Sequence, residues 1–252
     1  MSLSGVEVND QVLAIDIGAT NIKFCHVDAR GDRLESAHRR PTPYPCSPSR
    51  LIEVLGERIA ASGCSRVGVG FPGEFRDGIV VRPGNLARPG GVTTEVDPEL
   101  DREWRGFALQ AALAEATGRD VRVVNDAKLA ALGACEGHGV ELVLTLGTGL
   151  GLSLMVDGVI QDVRDVGAEN FRDGRTYDQT IGENSRSHDD AWEGLLIDVV
   201  DRFVDEFSAT AVYLAGGNAR RVSPGLFAAH PYRVIINGNE ASLRGAAKLF
   251  YP

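Results

Sequence analysis

Short apolar runs set the rhythm of this chain. VLAIDI (12–17) is rich in β-branched residues and ends at a glycine, which predicts a buried strand. IKFCHVD (22–28) alternates and predicts a second strand, and beyond an ARGD turn residues 33–38 predict a third. Ile52, Leu55 and Ile59 recur on one face of a helical pattern from Ser49 to about Ala61, with Ser49 as its N-cap. RVGVGF (66–71) reads as a strand and FRDGIVV as a hairpin tip. The Pro- and Gly-rich, acidic stretch 83–101 reads as a surface loop. A helix from about Trp104 to Ala116 stops at Gly118, VRVV is a strand, and a helix from Asp126 to Glu136 is closed by Gly137.

The second half repeats this grammar. ELVLTL, GLSLMVDG and VIQDV predict three consecutive strands joined by tight turns. A long amphipathic helix (190–207) precedes the strand AVYLAG, and VIIN precedes a closing helix at 240–249. Two halves that each open with three strands and then alternate helix and strand imply a duplicated α/β unit with a cleft between the copies.

Composition narrows the class. The chain has 252 residues, 43% hydrophobic and 24% charged, as a soluble globular protein with a substantial core does. Its formal charge is −9, and only Lys23, Lys128 and Lys248 among 26 cationic residues are lysines. With no basic run, a nucleic-acid partner is not expected. Cys25, Cys46, Cys64 and Cys135 are scattered without C-x-x-C spacing, which reads as free buried thiols in a reducing cytosol. MSLSGVEVND lacks the pattern of a signal peptide and no apolar run is long enough to span a bilayer, so a cytoplasmic protein with no membrane partner is expected.

Three loops have the chemistry of phosphate sites. DIGATNIK (16–23) turns one apolar strand back into another. Its glycine and small residues let backbone amides and Thr20 face an anion, and Asp16 can hold magnesium directly or through water. LTLGTGLGLS (144–153) repeats the arrangement around Thr148, and LAGGNARR (214–221) runs a strand into two glycines and a helix start. Each is also compatible with an ordinary tight turn. GVGFPG (68–73) satisfies G-x-G-x-x-G, but EFRDGIVV after it is not helical, so the dinucleotide reading fails; no G-x-x-x-x-G-K is present. In VRVVNDAKLAALG, Asn125 and Asp126 sit where a buried strand meets a helix. Either could cap that helix. An aspartate there can also take the proton of a hydroxyl attacking a phosphoryl group, with Asn125 orienting the acceptor.

These motifs, in this order, resemble the first phosphate, second phosphate and adenosine motifs of the actin–hexokinase–heat-shock superfamily: Asp16 to Lys23, Gly147 to Gly151, and Ala215 to Asn218. GVGFPG and VVNDAKLAALG resemble the ROK (repressor, open reading frame, kinase) family of sugar kinases. FRDGRTYDQTIGENSR with YLAGGNARRV resembles its polyphosphate/ATP glucokinase branch. The likeness covers nearly the whole chain. It implies an α/β protein of duplicated ribonuclease-H-like, actin-like ATPase domains with an interdomain cleft. Residues 1–137 would form the N-terminal domain with the acceptor site, the helix at 240–252 packing back on it, and 138–252 the nucleotide- and phosphate-binding domain.

The resemblance further implies a glucokinase-like phosphotransferase that uses ATP or polyphosphate with Mg2+, acts on a hexose-type sugar and forms a homodimer. Asp126 would be the base and Asp16 the magnesium residue. Gly18, Thr20, Asn21, Lys23, Gly147, Thr148 and Gly149 would meet phosphate, and Gly216, Gly217 and Asn218 the nucleoside. Pro72, Gly73, Asn85, Asn125, Asp165 and Glu169 would meet the sugar.

Departures from the family pattern bear on specificity. The family's Glu-x-Gly/Ala-His reads Asp165-Val166-Gly167-Ala168 here, which shortens the acid and removes the imidazole. The family's zinc cluster is absent from the sequence, so no structural zinc is expected. Ala19 stands where glycine is usual, and an acidic insert lies between Asn85 and Trp104. No helix-turn-helix precedes residue 12, which is the kinase pattern rather than the repressor pattern. A rival from another class is a sugar or nucleotide sensor that kept the fold and lost the acceptor pocket. An actin-like structural protein fits less well, because GVGFPG and the Asn-Asp pair belong to the kinase pattern.

Overall fold

The computed structural model describes residues 10–182, 185, 191–238 and 240–252. Expectations placed on residues 1–9, on the end of the 171–186 stretch and on the first residue of the 190–207 helix lie partly or wholly outside them. The chain divides into two units, Met1–Leu129 with Ser242–Pro252, and Ala130–Ala241.

In the first unit, β1 (Val12–Ile17), β2 (Asn21–Val27), β3 (His38–Pro41), β4 (Arg66–Phe71) and β7 (Asp120–Asn125) form a sheet of order β3-β2-β1-β4-β7. The pairs β3/β2 and β2/β1 are antiparallel, whereas β1/β4 and β4/β7 are parallel. In the second unit, β8 (Val140–Leu146), β9 (Leu150–Val156), β10 (Val159–Gln161), β13 (Ala211–Ala215) and β14 (Arg233–Gly238) form a sheet of order β10-β9-β8-β13-β14. Its first two pairs are again antiparallel and its last two parallel. The duplication read from the sequence is therefore present strand for strand.

β1 is buried on both faces, as expected of a strand inside a parallel sheet covered by helices. Leu13, Ile15 and Ile17 share a core with Leu51, Leu55 and Ile59 of α1 (Pro48–Ser62). Val12 and Ala14, on the other face, pack with Leu129 of α4 (Asp126–Ala134) and with Leu243, Ala246 and Ala247 of the last helix, Glu240–Lys248. A methyl group at Gly68 in β4 would stand 2.7 Å from the Ala246 carbonyl oxygen, so that glycine is the seat on which the last helix rests.

Several boundaries differ from expectation for local reasons. Pairing with β2 occurs at His38–Pro41 rather than 33–38, because residues 28–34 are spent on a turn in which the Asp28 carboxylate accepts from the Arg30 and Asp32 amides. Ser47, not Ser49, caps α1 by accepting from Arg50 N, with Pro48 in the first helical turn, where no amide proton is missed. The stretch 83–101 is not a plain surface loop. Leu86, Ala87 and Gly91 are buried, and Asp97 caps α2 (Pro98–Trp104) by accepting from the Glu99 and Leu100 amides. The single helix expected from Trp104 to Ala116 is broken by Gly106 at φ +76°, and α3 begins afresh at Leu109 and ends at Thr117. Two short strands, β5 (Glu74–Arg76) and β6 (Ile79–Arg82), make the expected hairpin.

In the second unit β11 (Asn170–Arg172) and β12 (Arg175–Thr176) lead into α5 (Tyr177–Ile181), whose capping box pairs Thr176 with Gln179. The ring of Tyr177 stacks at 5.3 Å on Phe203 of α6 (Trp192–Phe207), whose Leu196, Val199, Val200 and Phe203 form its buried stripe. All four cysteines are buried and none is in a disulfide. Among the described residues no helix is long and apolar enough to cross a membrane.

One buried carboxylate organises the start of the second sheet. Glu141, 1% exposed, accepts from the amides of Glu136, Gly137 and His138 and from the Tyr213 hydroxyl, at 2.7–3.1 Å. Glu141→Ala would strand four donors at once. Urea denaturation should show a loss of about 3 kcal/mol or more, and Glu141→Gln a smaller loss.

Candidate active site

The first unit gathers its polar residues at the carboxyl ends of β1, β4 and β7. Asp16 and Lys23 are register partners across the β1/β2 ladder and so share a face; Lys23 Nζ donates to Asp16 Oδ2 at 2.8 Å. Asp16 is 8% exposed, and its neighbour on the other side is Gly70. A methyl at Gly70 would stand 3.4 Å from the Asp126 Cα and 2.9 Å from Leu129 Cδ2. The missing side chain lets the head of α4 settle onto β4 and brings Asp126 toward Asp16. The two glycines of GVGF thus serve as helix seats, which explains a dinucleotide-like pattern without a dinucleotide site.

Asn125 is committed to the same construction. Its Oδ1 accepts from the Ala127 and Lys128 amides, while Nδ2 donates to Gly73 O at 2.8 Å and to Asp126 Oδ1 at 3.1 Å. It caps α4 and turns the Asp126 carboxylate at once. Burial, reinforced by the negative charge of Asp16, pushes Asp126 from the ordinary 3.8 up to about 7; the Ala127 amide and Lys23 oppose the shift. The residue as a whole keeps some exposed surface, so Asp126 is crowded by protein without being fully enclosed. A group with these two properties can exchange a proton near neutral pH.

Beside it, Gly73 and Gly84 make two close backbone crossings. A methyl at Gly73 would lie 2.3 Å from Arg82 O, and one at Gly84, φ +57°, would lie 2.3 Å from Pro72 O. Pro72, Gly73, Asn85 and Asn125 are therefore brought to one place by the Pro-Gly pairs at 72–73 and 83–84 and by the Asn125–Gly73 bond. In the β1–β2 turn, Gly18 N donates to Asn21 O at 3.0 Å and Thr20 is exposed at the tip.

The second unit holds its own glycine loops together. Gly147 N donates to Gly149 O at 3.0 Å, leaving Thr148 exposed at the tip. Asn218 is 3% exposed and donates to Gly147 O at 3.1 Å, tying the loop after β13 to the loop after β8. Gly216, at φ +88°, passes so close to Leu146 that a methyl would lie 2.4 Å from its carbonyl oxygen. Gly217 has open space around it. Asp165 Oδ1 accepts from Gly167 N at 3.2 Å, and Ala168 is exposed. The Glu169 carboxylate is held by Arg164, which also grips Glu206.

The profile of the ROK family matches residues 12–164. This chain belongs to the ROK family. It is 28% identical over 159 residues to the polyphosphate glucokinase of Mycobacterium tuberculosis, covering 58% of this chain and 53% of that protein. Against the glucokinase of Thermotoga maritima it is 36% identical over 168 residues, covering 63% and 49%. The aligned region thus spans about half the length of these curated relatives. Among solved structures, the inorganic polyphosphate/ATP-glucomannokinase of Arthrobacter sp. superposes with a TM-score of 0.77 at 28% identity, covering 96% of this chain and 98% of that one. The ROK glucokinase of Streptomyces griseus has the same fold, with a TM-score of 0.68 at 19% identity. The sheets described above are the actin-like ATPase fold of ROK proteins.

One residue beside the second glycine loop escaped the sequence reading. Asp178 in α5 accepts from Leu150 N at 2.8 Å, and its carboxylate fills the space where methyl groups at Gly149 and Gly167 would stand, at 2.2 and 2.6 Å. Burial raises its pKa, and Asp165 adds to the shift. The Thr-x-x-Gln box around it could have placed the helix, but nothing local shows that its carboxylate reaches the second glycine loop.

The raised pKa of Asp126 carries a stability cost with a definite sign. Between the ordinary carboxylate range and about 7 the folded chain keeps a proton that the unfolded chain has released. The contribution to stability therefore falls as pH rises through that window, and the cost is complete above it. Asp126→Asn should stabilise the protein by on the order of 2–4 kcal/mol at pH 8, a gain that fades as pH is lowered toward 4 in urea denaturation series.

Proposed function

We propose that this chain is a sugar kinase that transfers a phosphoryl group from ATP or polyphosphate to a hydroxyl of a hexose-type sugar. The observation that carries the reading is Asp126, a carboxylate raised to about 7 at the head of α4, beside Asp16 and the β1–β2 turn. The similarity over 96% of this chain to a polyphosphate/ATP-glucomannokinase supports it. Asp126 takes the hydroxyl proton as the oxygen attacks the terminal phosphorus, and Asn125 keeps the carboxylate turned toward it. Pro72, Gly73 and Asn85 are the residues of the first unit assigned to the acceptor sugar, and Asp165 and Glu169 those of the second.

Within the first unit Gly18, Thr20, Asn21 and Lys23 are the residues assigned to phosphate, and within the second unit Gly147, Thr148 and Gly149 are. Gly216, Gly217 and the loop tied down by Asn218 take a nucleoside when the donor is ATP. Magnesium keeps several waters and asks for only one or two carboxylates besides the phosphates. Asp16, engaged with Lys23 through one oxygen only, fits that demand. The ion would neutralise charge on the donor; the residues themselves orient, desolvate and move the proton.

A transfer assay with magnesium, offering ATP and polyphosphate against a panel of hexoses and amino sugars, tests this directly. Turnover should fall by several orders of magnitude in Asp126→Asn. In the wild type it should rise with pH through about 7 as Asp126 releases its proton. No turnover on any sugar, with ATP still raising the melting temperature, would favour a sensor that kept the donor loops. Ala168 is exposed and has room for an imidazole. Ala168→His should tighten glucose binding by about 1–3 kcal/mol in calorimetry, because a sugar hydroxyl regains a partner.

A further inference from the structure

The acidic insert of this chain ends against Tyr44, and Tyr44 reaches the first phosphate loop. Trp104, fully buried at the end of α2, donates its indole N–H to Cys46 O at 2.7 Å and pins the segment that follows β3. A methyl at Gly91, φ +71°, would stand 2.9 Å from Tyr44 Cε2, so the insert's backbone lies directly against the phenol ring. The Tyr44 hydroxyl donates to Ala19 O at 2.8 Å. Thr42 adds two more bonds: Oγ1 donates to Gly18 O at 2.7 Å, and its amide donates to Thr20 O at 3.0 Å. Three consecutive carbonyls of the β1–β2 turn are thus pulled toward residues 42–44.

A peptide unit is planar and trans, so its carbonyl and the next residue's N–H point in opposite directions. Fixing the Gly18 and Ala19 carbonyls therefore also fixes the directions of the Ala19 and Thr20 amides. A cradle of successive N–H groups is the device by which such turns hold anions. We propose that Tyr44, backed by the 86–104 insert, is a positioning residue for the phosphoryl donor, aiming the Thr20 amide at phosphate through its bond to the Ala19 carbonyl. The proposal rests on the kinase reading of this turn. It also assigns a role to the insert, which supports the ring of Tyr44 from behind.

Tyr44→Phe keeps the ring on Gly91 and removes only the hydroxyl. In the ligand-free protein, hydrogen exchange should quicken at the amides of Gly18 and Thr42, which close the turn onto Asn21 O and Thr20 O. Calorimetry with magnesium and inorganic tripolyphosphate should show about fivefold to tenfold weaker binding. In the transfer assay the KM for MgATP or polyphosphate should rise by a similar factor, while the sugar KM and the pH midpoint of kcat stay in place. Unchanged exchange and unchanged tripolyphosphate affinity in a folded Tyr44→Phe protein would overturn the proposal, as would a wild type that binds no tripolyphosphate. If the wild type phosphorylates no sugar but both binding and exchange respond to Tyr44→Phe, the kinase reading fails and the positioning role stands.

Discussion

Two carboxylates crowded at the carboxyl ends of β1 and β7, on either side of β4, impose most of the detail in the first unit. Asp126 and Asp16 repel one another, and burial worsens the repulsion, so the arrangement persists only because other groups offset it. Lys23 occupies one oxygen of Asp16; the Ala127 amide and the Asn125 amide group occupy Asp126. Each of these partners is in turn fixed by something else: Lys23 by strand register, Asn125 by the Gly73 carbonyl and by the helix it caps. The result is a carboxyl group that can exchange its proton near neutral pH, at a standing cost to the fold.

The glycines of the chain record where backbones must come close. Gly68 and Gly70 admit helices onto β4; Gly73 and Gly84 let two Pro-Gly turns cross; Gly216 lets the loop after β13 pass over Leu146. At each, an added methyl group would meet a carbonyl oxygen or another atom of the protein, most often at distances that real side chains do not show. Gly147 and Gly217 differ, because space around them is open. The loops of the second unit therefore combine packed glycines that set their path with free ones that leave room for a ligand.

Most strands of the two large sheets were legible because buried strands advertise themselves as β-branched runs bounded by glycine, and because the pattern occurs twice; α1 and α4 were legible from helical periodicity and their closing glycines. The three glycine loops and the Asn-Asp pair could be located for the same reason: each follows immediately on such a run. What was not legible depends on tertiary contact. Residues 83–104 look polar and Pro-rich, and only the burial of Leu86, Leu100 and Trp104 shows that they are built into the core. Glu141 looks like the charged start of a strand, yet it is a buried acceptor for a whole turn. Tyr44, Thr42 and Asp178 act through one or two bonds to loops 22 to 28 residues away, and no local periodicity encodes a bond of that kind.

The placement of the last helix has a consequence for how the molecule is made. Val12 and Ala14 lie on the face of the first sheet opposite α1, and the residues that cover them include Leu243, Ala246 and Ala247. The second unit, by contrast, is one unbroken stretch from Ala130 to Ala241. A ribosome that emits this chain from its amino end releases everything the second unit needs before it releases the cover of the first. The unit that begins the sequence is thus the one that closes last, and until then one apolar face of its central strand waits for a helix more than two hundred residues downstream.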